Sequence, residues 1–281
     1  MSYLRPSRLE DALKWLSTEK PLVMAGCTDI YPMYETPSLA GPLLDITALH
    51  ELSGISTSAG YRRFGALTTW AEINRADLPT AYNGLKAASR EIGGVQIQSS
   101  GTIGGNLCTA SPAADSVPCL MTLDAEIELT SFRGVRHLPM AEFLVGARQT
   151  ARASDELVTA IRMPISADNS QADFEKIGAR RYLVISIAMV AVRLTISDGR
   201  IEDIAIAVGA CSPVAVRVPD LEKALLDVKI YEVADALEEN KKIIMGKLSP
   251  IDDMRATGQY RMEAAAELIV KVVNRMCKGI S

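Results

Sequence analysis

Histidine is almost missing from this 281-residue chain, which has only His50 and His137 in separate segments. A histidine-ligated metal or a triad built on a histidine base needs more than two isolated imidazoles, so both read as surface residues. The five cysteines, Cys27, Cys108, Cys119, Cys211 and Cys277, are odd in number and form no C-x-x-C pair. A disulfide framework wants a dense even set, and zinc or iron–sulfur sites want clustered thiolates, so the expectation is reduced thiols and no metal. There is no basic stripe: the net charge is −4 with interspersed signs, which excludes a nucleic-acid surface. No apolar run approaches the roughly 20 residues of a membrane helix. The first residues pass directly into a charged helical pattern without the apolar centre of a secretory signal, so the cytoplasm is the expected compartment. The pattern G-x-G-x-x-G is also absent, which removes a Rossmann nucleotide site.

What is present is an ordinary globular composition, 48% hydrophobic and 23% charged, on a chain long enough for two domains. Ser7 and Glu10 have capping-box spacing, and Leu9, Ala12, Leu13 and Leu16 give one apolar helical stripe. Short apolar strands at 21–25 and 42–46 complete a β-α-β-like unit over 1–51. A second unit, 52–170, opens with a strand ending at Gly65 and Ala66 and a capping box at Thr69 and Glu72. It continues with a helix over 83–92 closed by Gly93 and Gly94, and with strands at 123–129 and 156–163. The stretch 166–173 is polar and aperiodic and reads as a linker, which divides the chain into 1–170 and 171–281. Beyond it, long apolar strands at 182–194 and 201–208 precede three helical segments near Asp220, Glu232 and Tyr260, an α+β module. In the last helix Tyr260, Ala264, Leu268, Val272 and Val273 read as the buried side and Arg261 as outward.

Two segments carry ligand chemistry. In TIGGNLCTASPAADS, from Thr102 to Ser116, the pair Gly104 and Gly105 lets the backbone approach a ligand, and their amides with Thr102, Asn106, Thr109 and Ser111 offer donors suited to phosphate. In PLVMAGCTDIYP, from Pro21 to Pro32, an apolar strand runs into a loop with Gly26, Thr28 and Asp29. A diphosphate cofactor held between the two is the expectation. Duller readings stand beside it: Asp115 as the cap of a helix beginning at Ser116, Thr28 and Asp29 as a helix start, Ile92 as core, Lys176 as a solvated strand-edge residue.

Four segments in order, AGCTD from Ala25, TIGGN with ASPAAD, KIGARRYLVISIA from Lys176 and SPIDDMRATGQYR from Ser249, resemble the FAD-binding medium subunits of the molybdenum hydroxylases, the xanthine dehydrogenase and carbon monoxide dehydrogenase family. The resemblance runs through essentially the whole chain. It implies an α+β protein with a two-part FAD-binding domain of the vanillyl-alcohol-oxidase (PCMH) type and a C-terminal α+β domain of the CO dehydrogenase flavoprotein type. It implies FAD as cofactor, with Val23, Met24, Ala25, Gly26, Cys27, Thr28, Asp29 and Ile30 as its first loop and Thr102, Ile103, Gly104, Gly105 and Asn106 as its second. By the same resemblance Ile92 neighbours the adenine and Val158 contacts the dinucleotide. Asp115 accepts from a cofactor hydroxyl, and Lys176 lies near the flavin ring, where a cation tunes its potential. One departure is Cys27, where the family usually has glycine; if φ is positive there, the cysteine costs about 1–2 kcal/mol. The implied role is an electron-transfer subunit, xanthine dehydrogenase-like, with an iron–sulfur small subunit and a molybdenum-cofactor large subunit as partners and NAD, oxygen or quinone as acceptor. A standalone flavoprotein oxidoreductase of this fold and a flavin-free scaffold subunit are the alternatives.

Overall fold

The computed structural model describes residues 2–33 and 41–279. A helix, Leu9–Glu19, packs Ala12, Leu13 and Leu16 onto a three-stranded parallel sheet in which Leu43–Asp45 lies between Tyr3–Leu4 and Leu22–Met24. Leu22–Met24 is therefore an edge strand, with one side of its backbone unclaimed by the sheet. The helix begins one residue later than the Ser7–Glu10 spacing suggests. Arg8 occupies the cap position without a side-chain bond, and the Leu9 amide donates instead to Glu51 Oε1 at 3.1 Å. A long-range carboxylate has replaced the local cap.

The second unit is a five-stranded antiparallel sheet in the spatial order Ile55–Ser58, Tyr61–Gly65, Leu157–Pro164, Glu126–Ser131, Gly134–Pro139. Strand Glu126–Ser131 begins three residues after the expected 123–129 strand and alternates over its first four residues, Thr130 and Ser131 both being buried. Ile127 and Leu129 are buried, while Glu126 and Glu128 pair with Arg162 and Arg63. The capping box at Thr69 and Glu72 is formed. Helices Asn83–Glu91, Val95–Ser100, Ile103–Thr109 and Ser116–Thr122 follow, the first ended by Gly93 at φ +61.

The 166–173 linker reading does not hold. Residues Ile165–Asn169 form a 3-10 turn, and strand Gln171–Gly178 begins directly after it, edging an antiparallel sheet with Ser186–Ser197, Arg200–Gly209 and Val216–Arg217. Strand Ser186–Ser197 sends Met189 and Ala191 into the core of the first 164 residues, while Ala188, Val190, Val192 and Leu194 face the long helix Gly258–Lys278. That two-sided burial is why its sequence reads as a continuous apolar run rather than an alternating one. Phe174 joins the first core too, and Gly84 packs against the Asp173 backbone, so no free linker separates the two sheets. Arg261 is buried, 3% exposed, against the outward placement expected for it, and Tyr260 is exposed. The Arg261 guanidinium donates to the carbonyls of Ile187 (2.6 Å) and Ala210 (3.2 Å) and to Asp253 (2.7 Å), tying the helix start to the sheet. A hydrophobicity stripe misses a buried arginine whose partners are carbonyls.

Candidate cofactor site

The two glycine-bearing loops meet. Gly26 lies so close to the chain before the second loop that an added Cβ would stand 1.8 Å from the Ser100 carbonyl oxygen, and a Cβ on Gly101 would sit 3.4 Å from Thr28 Oγ1. Only glycine permits this backbone-on-backbone contact. Around the junction lies a cavity of about 490 Å3, within the size range of small-molecule and cofactor clefts. Fourteen expected residues line it: Val23, Ala25, Gly26, Cys27, Thr28, Asp29, Ile30, Ile92, Thr102, Gly104, Gly105, Asn106, Thr109 and Val158.

The donors differ from those read in the sequence. TIGGN opens helix Ile103–Thr109 with Thr102 as its cap, and the amides of both glycines are engaged. Gly104 N–H donates to the Ala66 carbonyl at 2.9 Å and Gly105 N–H to Thr102 Oγ1 at 3.2 Å. Gly104 is glycine because its missing Cβ would press on Ala66, at 2.7 Å from Cβ and 2.8 Å from the carbonyl oxygen. The open donors belong to the first loop. Among the described residues, the amides of Gly26, Cys27, Thr28 and Asp29 have no hydrogen-bond acceptor. Cys27 holds φ +56, a left-handed conformation that glycine would adopt without strain, and its thiol donates to the Ala25 carbonyl at 3.3 Å. Burial, and then the Asp45 charge, push that thiol's pKa up, so it is a neutral donor rather than a nucleophile at neutral pH. On the second loop, Asn106 lines the cavity and its Oδ1 accepts from Ser116 Oγ at 2.7 Å, which leaves the amide NH2 without a protein acceptor among the described residues.

Five expected residues stand outside the cavity lining. Ile103 is fully buried core, and Met24 is absent from a wall to which its neighbours Val23 and Ala25 contribute. Ser111 Oγ accepts from the Ala113 amide. Asp115 and Lys176 pair with each other at 2.5 Å, 7% and 8% exposed, and Asp115 also accepts from Ser186 Oγ. Neither duller reading of these two holds: Asp115 takes the cap position but makes no side-chain cap bond to the helix at Ser116, and Lys176, although on an edge strand, keeps its side chain out of solvent. Burial pushes the Asp115 carboxyl up from its ordinary value, opposed by the Lys176 ammonium and the Ser186 hydroxyl. The pair adjoins the cavity through Ser116, which follows Asp115 and bonds the lining residue Asn106.

Sequence reading missed Trp70, Cys108, Leu157, Arg148 and Arg152 on the same lining. Trp70 comes in through its amide, which donates to the Gly101 carbonyl at 3.2 Å. The two arginines arrive on the hairpin of Leu144–Gly146 with Gln149–Thr150 and on the loop after it. Nothing in GARQTARAS marks them before the hairpin is placed. Among the described residues no cluster of three His, Cys, Asp or Glu side chains is arranged to hold a metal.

A cleft walled by neutral backbone donors, apolar side chains and two guanidiniums suits an extended, doubly negative dinucleotide with a large apolar ring. Such a site on these two domains defines a flavin dinucleotide-binding protein. The family model described as the FAD binding domain in molybdopterin dehydrogenase matches residues 1–166, and the model of the CO dehydrogenase flavoprotein C-terminal domain matches residues 173–276. The chain belongs to the FAD-binding medium subunits of the molybdenum hydroxylases, and FAD is its cofactor. It is 31% identical over 273 residues to the glyceraldehyde dehydrogenase medium chain of Sulfolobus acidocaldarius, covering 96% of each. Identity to the nicotine 6-hydroxylase medium subunit of Paenarthrobacter nicotinovorans is 33% over 276 residues, 96% of this chain and 95% of that one. A chain of reconstituted CO dehydrogenase from Oligotropha carboxidovorans superposes with a TM-score of 0.90 at 26% identity, over 99% of this chain and 98% of the other. The relatives are oxidoreductase subunits, and so is this chain.

Proposed function

We propose that this chain carries the electron exit of a molybdenum hydroxylase. It takes electrons from iron–sulfur clusters on a small partner subunit, upstream of which a molybdenum-bearing large subunit oxidises the substrate, and passes them to NAD or another acceptor. Bound FAD supplies the chemistry, since a flavin accepts electrons singly and releases them in pairs. The chain's residues hold and orient it. The free amides of Gly26 to Asp29 face the diphosphate, Val23 and Val158 pack against the dinucleotide, Ile92 covers the adenine, and Thr102 and Asn106 present polar hydrogens from the second loop. The Asp115–Lys176 pair sits beside the flavin end, where Asp115 receives a cofactor hydroxyl and the ammonium biases the ring potential.

The observation that carries this reading is the convergence of the two loops on one cavity, with four donors left over by the fold. Among the described residues the lining carries no histidine or tyrosine, and its one acid, Asp29, belongs to the loop assigned to the diphosphate rather than to the flavin ring, which favours an electron carrier over a standalone oxidase. Names among the relatives differ in substrate, glyceraldehyde in one and nicotine in another. A xanthine dehydrogenase-like purine substrate is accordingly a property we assign to the partner subunit rather than to this cavity. The same reading takes residues 1–170 as the FAD-binding domain and 171–281 as its flanking domain, in the cytoplasm, where five free thiols suit a reducing compartment. No helix among the described residues is long and apolar enough to cross a membrane.

The test is a spectrum and a titration. Purified chain is expected to take up FAD and turn yellow, yet oxidise neither purine nor aldehyde alone. Gly26→Ala, whose Cβ collides with the Ser100 carbonyl, is expected to lose the flavin. Gly246→Ala, whose Cβ meets open space, is expected to keep it. Substrate turnover by the isolated chain would refute the carrier role, and a colourless chain that takes up no FAD would leave the scaffold alternative.

A further inference from the structure

Arg148 and Arg152 line the same cavity as the four open amides, and among the described residues neither has a counter-ion. Arg148 is at the tip of the Leu144–Thr150 hairpin, with φ +56, and its amide donates to the Ala110 carbonyl at 2.8 Å. Ala110 is the left-handed C-cap of the Ile103–Thr109 helix, so the tip is pinned to the element that carries Thr102, Gly105 and Asn106. The Arg152 guanidinium is held by two carbonyls, Glu156 at 2.7 Å and Ala153 at 3.3 Å. Neighbouring cations are treated differently: Arg133 pairs with Asp155, and Arg136 with Glu156. Among the described residues neither Arg148 nor Arg152 meets a carboxylate, and Asp29 is the only acid on the lining. Two guanidiniums against one carboxylate leave the wall with net positive charge, in a cleft where partial exclusion of water strengthens its pull on an anion.

We propose that Arg148 and Arg152 form a cationic clamp on the diphosphate, adding charge-assisted bonds to the neutral amide cradle and making the site select the dinucleotide over uncharged flavin. The inference rests on the FAD reading above and adds residues that the sequence motifs do not contain. A guanidinium is the suitable group, because its fork of N–H donors matches phosphate oxygens in pairs. The competing role for Arg148 is structural. It stands by the C-terminus of a short helix, where a cation interacts favourably with the dipole.

Fluorescence titration of the full-length chain with FAD and with riboflavin separates the two. Arg148→Gly removes the charge and also relieves the left-handed strain, so the variant is expected to unfold no earlier than the parent. Its FAD dissociation constant is expected to rise about tenfold, the loss of one charge-assisted contact, while riboflavin affinity stays put. Arg152→Gln is expected to weaken FAD similarly, Arg148→Lys to recover part of the loss, and the salt dependence of FAD binding to flatten in both charge-removing variants. If the parent binds FAD and both variants bind it equally well, the clamp is wrong and the site reading survives. Equal weakening of riboflavin would also overturn the clamp, since it would show that the flavin end was disturbed. A parent chain that binds no FAD would bring down the site reading and the clamp with it.

Discussion

Replacing Cys27 with glycine is expected to stabilise the protein, although it removes a side chain from the wall of the cofactor cavity. Cys27 has φ +56, where a Cβ crowds the following carbonyl at a cost of about 1–2 kcal/mol that glycine does not bear. Against this, glycine enlarges the freedom of the unfolded chain by about 0.4–1 kcal/mol. The substitution also loses the thiol bond to the Ala25 carbonyl, and sulfur is a weak donor. The balance is a gain of about 0.5–1 kcal/mol, which in a protein of this size raises the thermal midpoint by about 1–4 °C. Cys27→Ala is the informative partner: it loses the same thiol bond but retains the strained Cβ, so it is expected to fall at or below the parent. Thermal unfolding of the three FAD-free proteins, followed by circular dichroism, gives the order glycine, cysteine, alanine. An alanine variant as stable as the glycine one would refute the strain argument, because backbone conformation is the main difference between them.

Three other outcomes follow from the same geometry. Lys176→Met leaves the Asp115 carboxylate buried with Ser186 as its remaining partner and is expected to cost about 3 kcal/mol in urea unfolding; adding Asp115→Asn should recover most of it, and a single variant as stable as the parent would show that the pair is not formed. Glu156 is held below the usual carboxylate range chiefly by two bonds from Arg136, at 2.6 and 2.7 Å. Its folded value is depressed, so its contribution is complete above the unfolded value of 4.5 and is lost as pH falls through the folded one. The stability gap between parent and Glu156→Gln should therefore close on acidification from pH 5 towards pH 3, and a constant gap would contradict the assignment. Gly104→Ala drives a Cβ to 2.7 Å from Ala66 Cβ and is expected to cost about 1–3 kcal/mol and weaken FAD binding, read by unfolding and by flavin absorbance; an unperturbed variant would show that the Ala66 contact yields freely.

Local signals gave the elements that need nothing distant. The Thr69–Glu72 box, the Gly93 stop and the alternation read over 123–129 depend on neighbours within one turn or one pleat; the first two stand in the structure, and the third holds over 126–129. Failures came where a distant group intervenes. Glu51, forty-two residues away, supplies the bond that Ser7 does not. The start of strand Gln171–Gly178 fell inside the 166–173 linker reading because its polar residues find partners on the last helix, where Arg275 meets Asp173, and Glu175 just beyond it. In the site, the glycines marked the close approaches correctly but for a partly different reason: Gly104 accommodates Ala66, and the open amides are on the other loop. Arg148 and Arg152 were illegible because their meaning depends on which wall a hairpin covers.

The site's reliance on main-chain donors bears on how much sequence change it tolerates. An amide at Gly26, Cys27, Thr28 or Asp29 points where the backbone points, whatever side chain it carries, provided the loop keeps its path. That path is set by a few steric facts: Gly26 against Ser100, Gly104 against Ala66, and the left-handed turn at residue 27. Substitution elsewhere in the lining changes packing by increments, whereas a Cβ at Gly26 closes the junction outright. A fold that superposes at a TM-score of 0.90 on a chain only 26% identical is what such a division predicts. By the same logic, changing the side chain at Cys27, Arg148 or Arg152, which line this wall, should alter how tightly the cofactor is gripped rather than whether the two loops meet.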